Sequence, residues 1–180
     1  EATAASVIDL LLAATALVEE KNLDYDGRLF LAGYSQGGYS TMATHKALES
    51  DPREQFQVIA SFPGAGGYDI SAMLEHFTQL DTYPDPHYLA YVGMSYRSYY
   101  GADELLTDFF NEPYASRIPA LFNGVNSSGQ IDDQLTQDID ALIRNEILTG
   151  SDTYAPNVFL RGKFQENSLV DWTPVAPVYL

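Results

Sequence analysis

At 180 residues, 46% hydrophobic and 19% charged, the chain has the size and balance of one globular domain that can bury a core. Its 25 acidic residues against 9 basic ones give a net charge of −16, which repels phosphate backbones and anionic lipid and so argues against nucleic-acid partners. There is no cysteine, which removes disulfide, thiolate and zinc–thiolate chemistry, and no apolar run is expected to reach the length of a membrane span.

The first twenty residues read as a helix. Val7, Ile8, Leu11, Thr15 and Val18 recur at helical spacing, and Leu10, Ala14 and Leu17 widen the apolar stripe. No basic–apolar–small leader is present, and the N-terminus falls inside this helical pattern, which leaves an upstream signal open. Asn22-Leu23-Asp24-Tyr25-Asp26-Gly27 starts like a calcium loop. Its twelfth position, where a bidentate glutamate must sit, is Gly33, so the segment reads as an acidic turn.

Leu29, Phe30, Leu31 and Ala32 then form the short apolar run of a buried parallel strand, followed by Gly33-Tyr34-Ser35-Gln36-Gly37-Gly38. Tyr39, Met42, Ala43, Lys46 and Ala47 carry a helix from there to about Glu49. Turning from strand to helix within three residues forces the serine into a strained backbone conformation. Gly33 and Gly37 are expected at places where a side chain would collide with a neighbouring strand or helix. Such a turn holds the Ser35 hydroxyl at the carboxyl end of a parallel sheet and aims the N–H of Gln36 at a developing oxyanion. A plain Gly/Ser turn is the reading that this strand–turn–helix setting argues against.

Asp51-Pro52-Arg53 stops the helix, and Gln57 to Phe62 is a second buried strand ending at Pro63-Gly64-Ala65-Gly66-Gly67. A dinucleotide loop fails there because the last glycine of its pattern would fall on Asp69, so a turn beside the active-site rim is expected. From about Ile70 the pattern is helical throughout. Ala72, Met73, Phe77 and Leu80 mark a short helix after Asp69, broken by Tyr83-Pro84-Asp85-Pro86. Tyr88, Tyr91, Val92, Tyr96, Tyr99 and Tyr100 form a tyrosine-rich face that reads as packing, with substrate contact as the other reading. Leu105 to Phe110 and Ile118 to Phe122 are two further short helices, and Asn126 in the polar loop heads a glycosylation sequon, meaningful only in a eukaryotic secretory protein. Leu135, Ile139, Leu142, Ile143 and Ile147 predict one amphipathic helix with Thr136 as its cap and Gly150 as its stop; Val158, Phe159 and Phe164 mark a last one. Val178-Tyr179-Leu180 reads as a third buried strand.

Gly33-x-Ser35-x-Gly37 in this setting resembles the nucleophile elbow of the α/β-hydrolase superfamily, in its bacterial and fungal secreted lipase and carboxylesterase branch. Phe110-Asn111-Glu112-Pro113-Tyr114-Ala115, with Ile118 to Gly124, resembles the helical lid of the bacterial members. Trp172 to Leu180 resembles the approach to the strand that carries the catalytic acid. The resemblance implies a partial α/β-hydrolase fold: residues 1–69 as the core with the elbow, 70–169 as an all-helical lid insertion, and 170–180 as the return to a core strand. It also implies a serine esterase working through an acyl-enzyme on Ser35, with the Gln36 N–H as half of the oxyanion hole. Tyr34, Phe62 and Tyr68 are its candidate substrate contacts, and no metal or other cofactor is expected.

In that family the acid and then the histidine follow the serine in chain order. His45 lies too far along the elbow helix, and His76 and His87 sit at the start of the lid segment, where packing or solvent is their default. Ser35, Asp69 and His87 would complete the order as a makeshift triad, but Asp69 is more simply a helix cap, and Asp171 precedes its strand. The chain is therefore expected to be the middle of such a hydrolase, inactive and aggregating by itself, with the remaining segments of the enzyme as partners. The expected substrates are small-molecule or lipid esters, in a secreted or periplasmic setting, for a protein that is not integral to a membrane. The competing readings are a non-catalytic binding module and an acyltransferase or serine peptidase on the same fold.

Overall fold

A computed structural model describes residues 2–180, which form two compact units: residues up to Ile70 together with Gln165–Leu180, and Ser71–Phe164. In the first unit, helix α1 (Ala2–Glu20) is followed by strand β1 (Arg28–Tyr34), helix α2 (Gln36–Ser50) and strand β2 (Gln57–Gly64). The strands pair in parallel, Arg28 opposite Gln57 and Tyr34 opposite Gly64, with one irregularity where Ile59 is passed over between Leu29 and Phe30. Parallel pairing requires a crossover, and α2 supplies it. The core of this unit is Ile8 from α1, Leu48 from α2 and Phe56, with Leu11, Leu12, Leu29, Ala47 and Val58 packed against them.

Three expectations change here. The strands are not buried on both faces: α1 and α2 cover the side carrying Leu29 and Val58, while Phe30, Ala32 and Tyr34 alternate onto the other, where Phe30 is 64% exposed. Phe62 and Tyr179 stack on one another with centroids 5.2 Å apart, and both are also exposed. The expected third strand begins as a single parallel bridge from Ser61 to Val178. Finally, α1 is, by length and composition, apolar enough to cross a membrane, contrary to the reading of the sequence. Ala4 and Ile8 are its buried residues, whereas Leu10 and Leu17 of its widened stripe are exposed.

The second unit contains helices α3 (Ile70–Phe77, whose first residue falls in the first unit), α4 (His87–Tyr100), α5 (Leu105–Phe109), α6 (Tyr114–Leu121) and α7 (Ser128–Asp132). Then come α8 (Ile139–Leu142), α9 (Asn145–Leu148) and α10 (Ala155–Asn167), the last running on into the C-terminal segment of the first unit. The single helix expected across Leu135 to Ile147 is two. Ile143 adopts extended dihedrals and bridges antiparallel to Phe110, and the Asn111 side-chain amide donates to the carbonyl of Ile143 at 2.8 Å. These contacts take the backbone groups that a continuous helix would need. The cap is Asp138, which accepts from Ala141 N–H at 2.9 Å; the Thr136 hydroxyl instead accepts from Asp138 N–H at 3.2 Å.

The buried centre of this unit includes Phe110, Ile118, Ile139, Leu142 and Ile147. Helix α4 turns Ala90 and Gly93 inward, and a Cβ at Gly93 would meet the Phe110 ring at 2.8 Å. Phe110, 1% exposed, is thus the point on which α4 and the α8–α9 break both rest. Replacing Phe110 with alanine is expected to cost about 3–5 kcal/mol, read as a lowered urea midpoint for the helical unit.

Candidate active site

Ser35 is the whole of the turn between β1 and α2: β1 ends at Tyr34 and α2 begins at Gln36. Its φ of 56° and ψ of −118° lie in a region that residues with a Cβ rarely adopt, a strain of about 1–3 kcal/mol. The surroundings hold it there. Ser35 N–H donates to the Gly64 carbonyl at 2.9 Å, and Tyr39 N–H donates to the Ser35 carbonyl at 3.1 Å. The hydroxyl makes no capping bond to α2, and the residue is exposed at the carboxyl end of the two strands. The N–H groups of Gln36, Gly37 and Gly38 open α2 and have no partner within the helix, so the positive end of its dipole faces the serine.

The glycines divide differently from the sequence reading. A Cβ at Gly33 would run into the Gly37 carbonyl and the Thr41 hydroxyl, as expected. At Gly37 it would meet open space, so the collision expected there does not exist. The second tight position is Gly38, where a Cβ would strike the Gly64 carbonyl. The steric demand has moved one residue along because it comes from β2, whose distance from α2 the local pattern does not reveal.

Among the candidate substrate contacts, Tyr34 is 78% exposed beside Ser35, and Phe62 lies on the open sheet face. The Tyr68 hydroxyl braces its own loop, donating to the Pro63 carbonyl and accepting from Gly66 N–H at 3.0 Å. Of the histidines, His76 sits in the last turn of α3 beside Phe77. His87 has its carboxylate partner within the second unit: Nδ1 lies 2.8 Å from Asp132 Oδ2, and the His87 backbone N–H donates to Asp132 Oδ1, also at 2.8 Å. That pairing replaces the one with Asp69. Asp85, His87 and Asp132 bring metal-ligating atoms within 4.8 Å of one another, a grouping not anticipated from the sequence. His87 and Asp132 already satisfy each other at the start of α4.

The sequence reading also missed a buried relay. His45 Nδ1 lies 2.8 Å from Ser61 Oγ, and His45 Nε2 lies 2.9 Å from Glu49 Oε1. An ionised Glu49 can only accept, which puts the proton on Nε2 and leaves Nδ1 to accept from Ser61. Serine, histidine and carboxylate in this order have the composition of a catalytic triad, but Ser61 and His45 are both 0% exposed, so no substrate reaches them. The i,i+4 placement of His45 and Glu49 on α2 was the signal available. Burial pushes the Glu49 carboxyl up, yet the N–H groups of Ala176 and Val175 and the His45 ring outweigh it and hold it below its ordinary range. A depressed carboxyl stabilises the fold above its unfolded pKa, and that contribution is lost as pH falls through the lower folded value.

No family model and no curated protein sequence matches the chain. Solved structures do. A Legionella pneumophila protein provisionally named a hydrolase is 30% identical, with a TM-score of 0.81 over 99% of this chain and 47% of its own. The rice cell wall degrading esterase LipA of Xanthomonas oryzae is 24% identical, with a TM-score of 0.78 over 98% of this chain and 48% of its own. Its ligand-bound form gives 0.79 over the same shares. The chain thus has the fold of part of a hydrolase and esterase structure, and it spans about half the length of the structures it matches.

The glycine geometry is open to test. Gly33→Ala and Gly38→Ala are each expected to cost about 1–3 kcal/mol or more from overpacking. Gly37→Ala should be neutral or stabilise by up to about 1 kcal/mol, because alanine is the better helix residue. Denaturant midpoints of the three variants give the order.

Proposed function

We propose that the chain is the serine-bearing part of a carboxylic ester hydrolase, working through an acyl-enzyme on Ser35. The observation that carries this reading is the conformation of Ser35: a strained, exposed serine held between a strand end and the open N–H groups of a helix. Strain that surrounding contacts enforce is found at functional positions more than in ordinary turns. In this reading the strand–turn–helix is a nucleophile elbow. Ser35 Oγ attacks the ester carbonyl, and the oxygen of the tetrahedral intermediate draws on the Gln36 N–H at the positive end of α2. A histidine takes the serine proton and returns it to the leaving alcohol; water then releases the acid and restores the serine.

That histidine and its acid partner come from the part of the hydrolase fold outside the matched half. Residues 70–169 are the helical lid insertion of the hydrolase, and Tyr34 and Phe62 flank the acyl group. The substrates are small-molecule or lipid esters, and the setting is secreted or periplasmic. The similarity to structures named hydrolase and cell-wall-degrading esterase supports this reading.

The test is covalent labelling with a fluorophosphonate together with p-nitrophenyl ester turnover, on the polypeptide that carries this chain. Label is expected on Ser35, and Ser35→Ala should lower turnover by roughly 10⁴-fold or more while leaving the fold intact. Gln36→Ala should matter little, because its part is played by the backbone. An unlabelled Ser35, or a fully active Ser35→Ala variant, overturns the assignment.

A further inference from the structure

The proposed chemistry makes no use of the relay Ser61–His45–Glu49, and the relay ends on backbone. Glu49 accepts the N–H of Val175 at 3.0 Å and of Ala176 at 2.8 Å. Ser61, at the other end, holds the same segment through its main chain. Its N–H donates to the Pro177 carbonyl at 3.0 Å, and its carbonyl accepts from Tyr179 N–H at 2.9 Å. Trp172 stands edge-on to the His45 ring with centroids 5.2 Å apart, and Lys46 reaches Asp171 at 2.7 Å.

The segment from Asp171 to Tyr179 is thus fixed by side chains of α2 and the backbone of β2, with one strand bridge and no helix of its own. Among the described residues, only two backbone bonds fix the register of this pairing, and a slip of one residue would exchange the two faces. The carboxylate of Glu49 resists that slip, because only one register presents the Val175 and Ala176 N–H groups to it. His45 holds the carboxylate in place, and its burial lets the bonds act in a water-poor setting.

The bridge from Ser61 to Val178 is parallel, so the new strand runs toward the end of the sheet at which Ser35 sits. In a serine hydrolase with the chain order serine, acid, histidine, a strand after the serine strand delivers the acid to that end. We propose that Glu49, held by His45, is a positioning residue that sets the register of Val175–Tyr179 on β2 and so places the catalytic acid relative to Ser35. The register-setting role stands on the geometry alone; the catalytic consequence rests on the ester-hydrolase reading.

The test compares wild type with Glu49→Gln, which keeps the shape and removes the charge. Amide exchange of Val175 and Ala176 should quicken about tenfold, while the amides of Phe30 and Ala60 keep their rates. In the 180-residue chain, where Trp172 is the one tryptophan, its emission should shift in step. Ester kcat should fall about tenfold or more with KM within twofold. Unchanged exchange at Val175 and Ala176 overturns the latch, and faster exchange with unchanged kcat overturns the positioning role. If Glu49→Gln unfolds throughout, Glu49→Asp is read by the same criteria, since it keeps the charge but withdraws it by one methylene. A wild-type Ser35 that takes no fluorophosphonate overturns the hydrolase reading and the catalytic consequence with it, whereas exchange alone still decides the latch.

Discussion

The carbonyl of Gly64 accepts the N–H of Ser35 and lies so close to Gly38 that no side chain fits between them. One backbone oxygen thereby joins the end of β2 to the start of α2 and to the turn between them. The strained dihedrals of Ser35 follow, because β1 must end and α2 must begin on either side of a residue already tied down. So does the exposure of its hydroxyl: the contacts fix the backbone and leave the side chain outside. Strain of this kind survives only where neighbours over-determine it, and here the neighbours are main-chain atoms that substitution elsewhere leaves in place.

Helix α2 carries two kinds of contact. Ala47 and Leu48 meet Ile8 of α1 in an apolar cluster whose strength follows buried area and tolerates some repacking. Thr41, Thr44 and His45 are buried too, and the His45–Glu49 pair gives directional bonds with little tolerance. The apolar contacts hold the helix on the sheet, and the His45–Glu49 pair determines where the C-terminal segment lies along it.

The turn at Ser35 was legible in the sequence because the serine, its flanking glycine Gly33 and the change from strand to helix pattern fall within a few consecutive residues, although the Gly64 carbonyl that ties it down does not. The tight glycine at position 38 was not, since the obstacle is a carbonyl 26 residues further on. The break between α8 and α9 was hidden for the same reason: Ile139, Leu142, Ile143 and Ile147 keep helical spacing, and the interruption comes from Asn111. His45 drew notice only as a candidate base and was set aside by distance from Ser35. Its partner Ser61 lies on the neighbouring strand, a relation that sequence spacing does not encode.

Helix α4 packs against its neighbours through Ala90 and Gly93 and leaves Tyr88, Tyr91 and Tyr99 outside. Tyr96 and Tyr100 pack against Phe164 and Phe159 of α10, so of its tyrosines only Tyr88, Tyr91 and Tyr99 stand on the outer face. Ancestral drift at those tyrosines would be nearly free of folding cost, while the two smallest residues of the helix would be held almost fixed. A lineage could recolour those three positions, from aromatic to charged to small, within a few substitutions and without disturbing the ring of Phe110 beneath the helix.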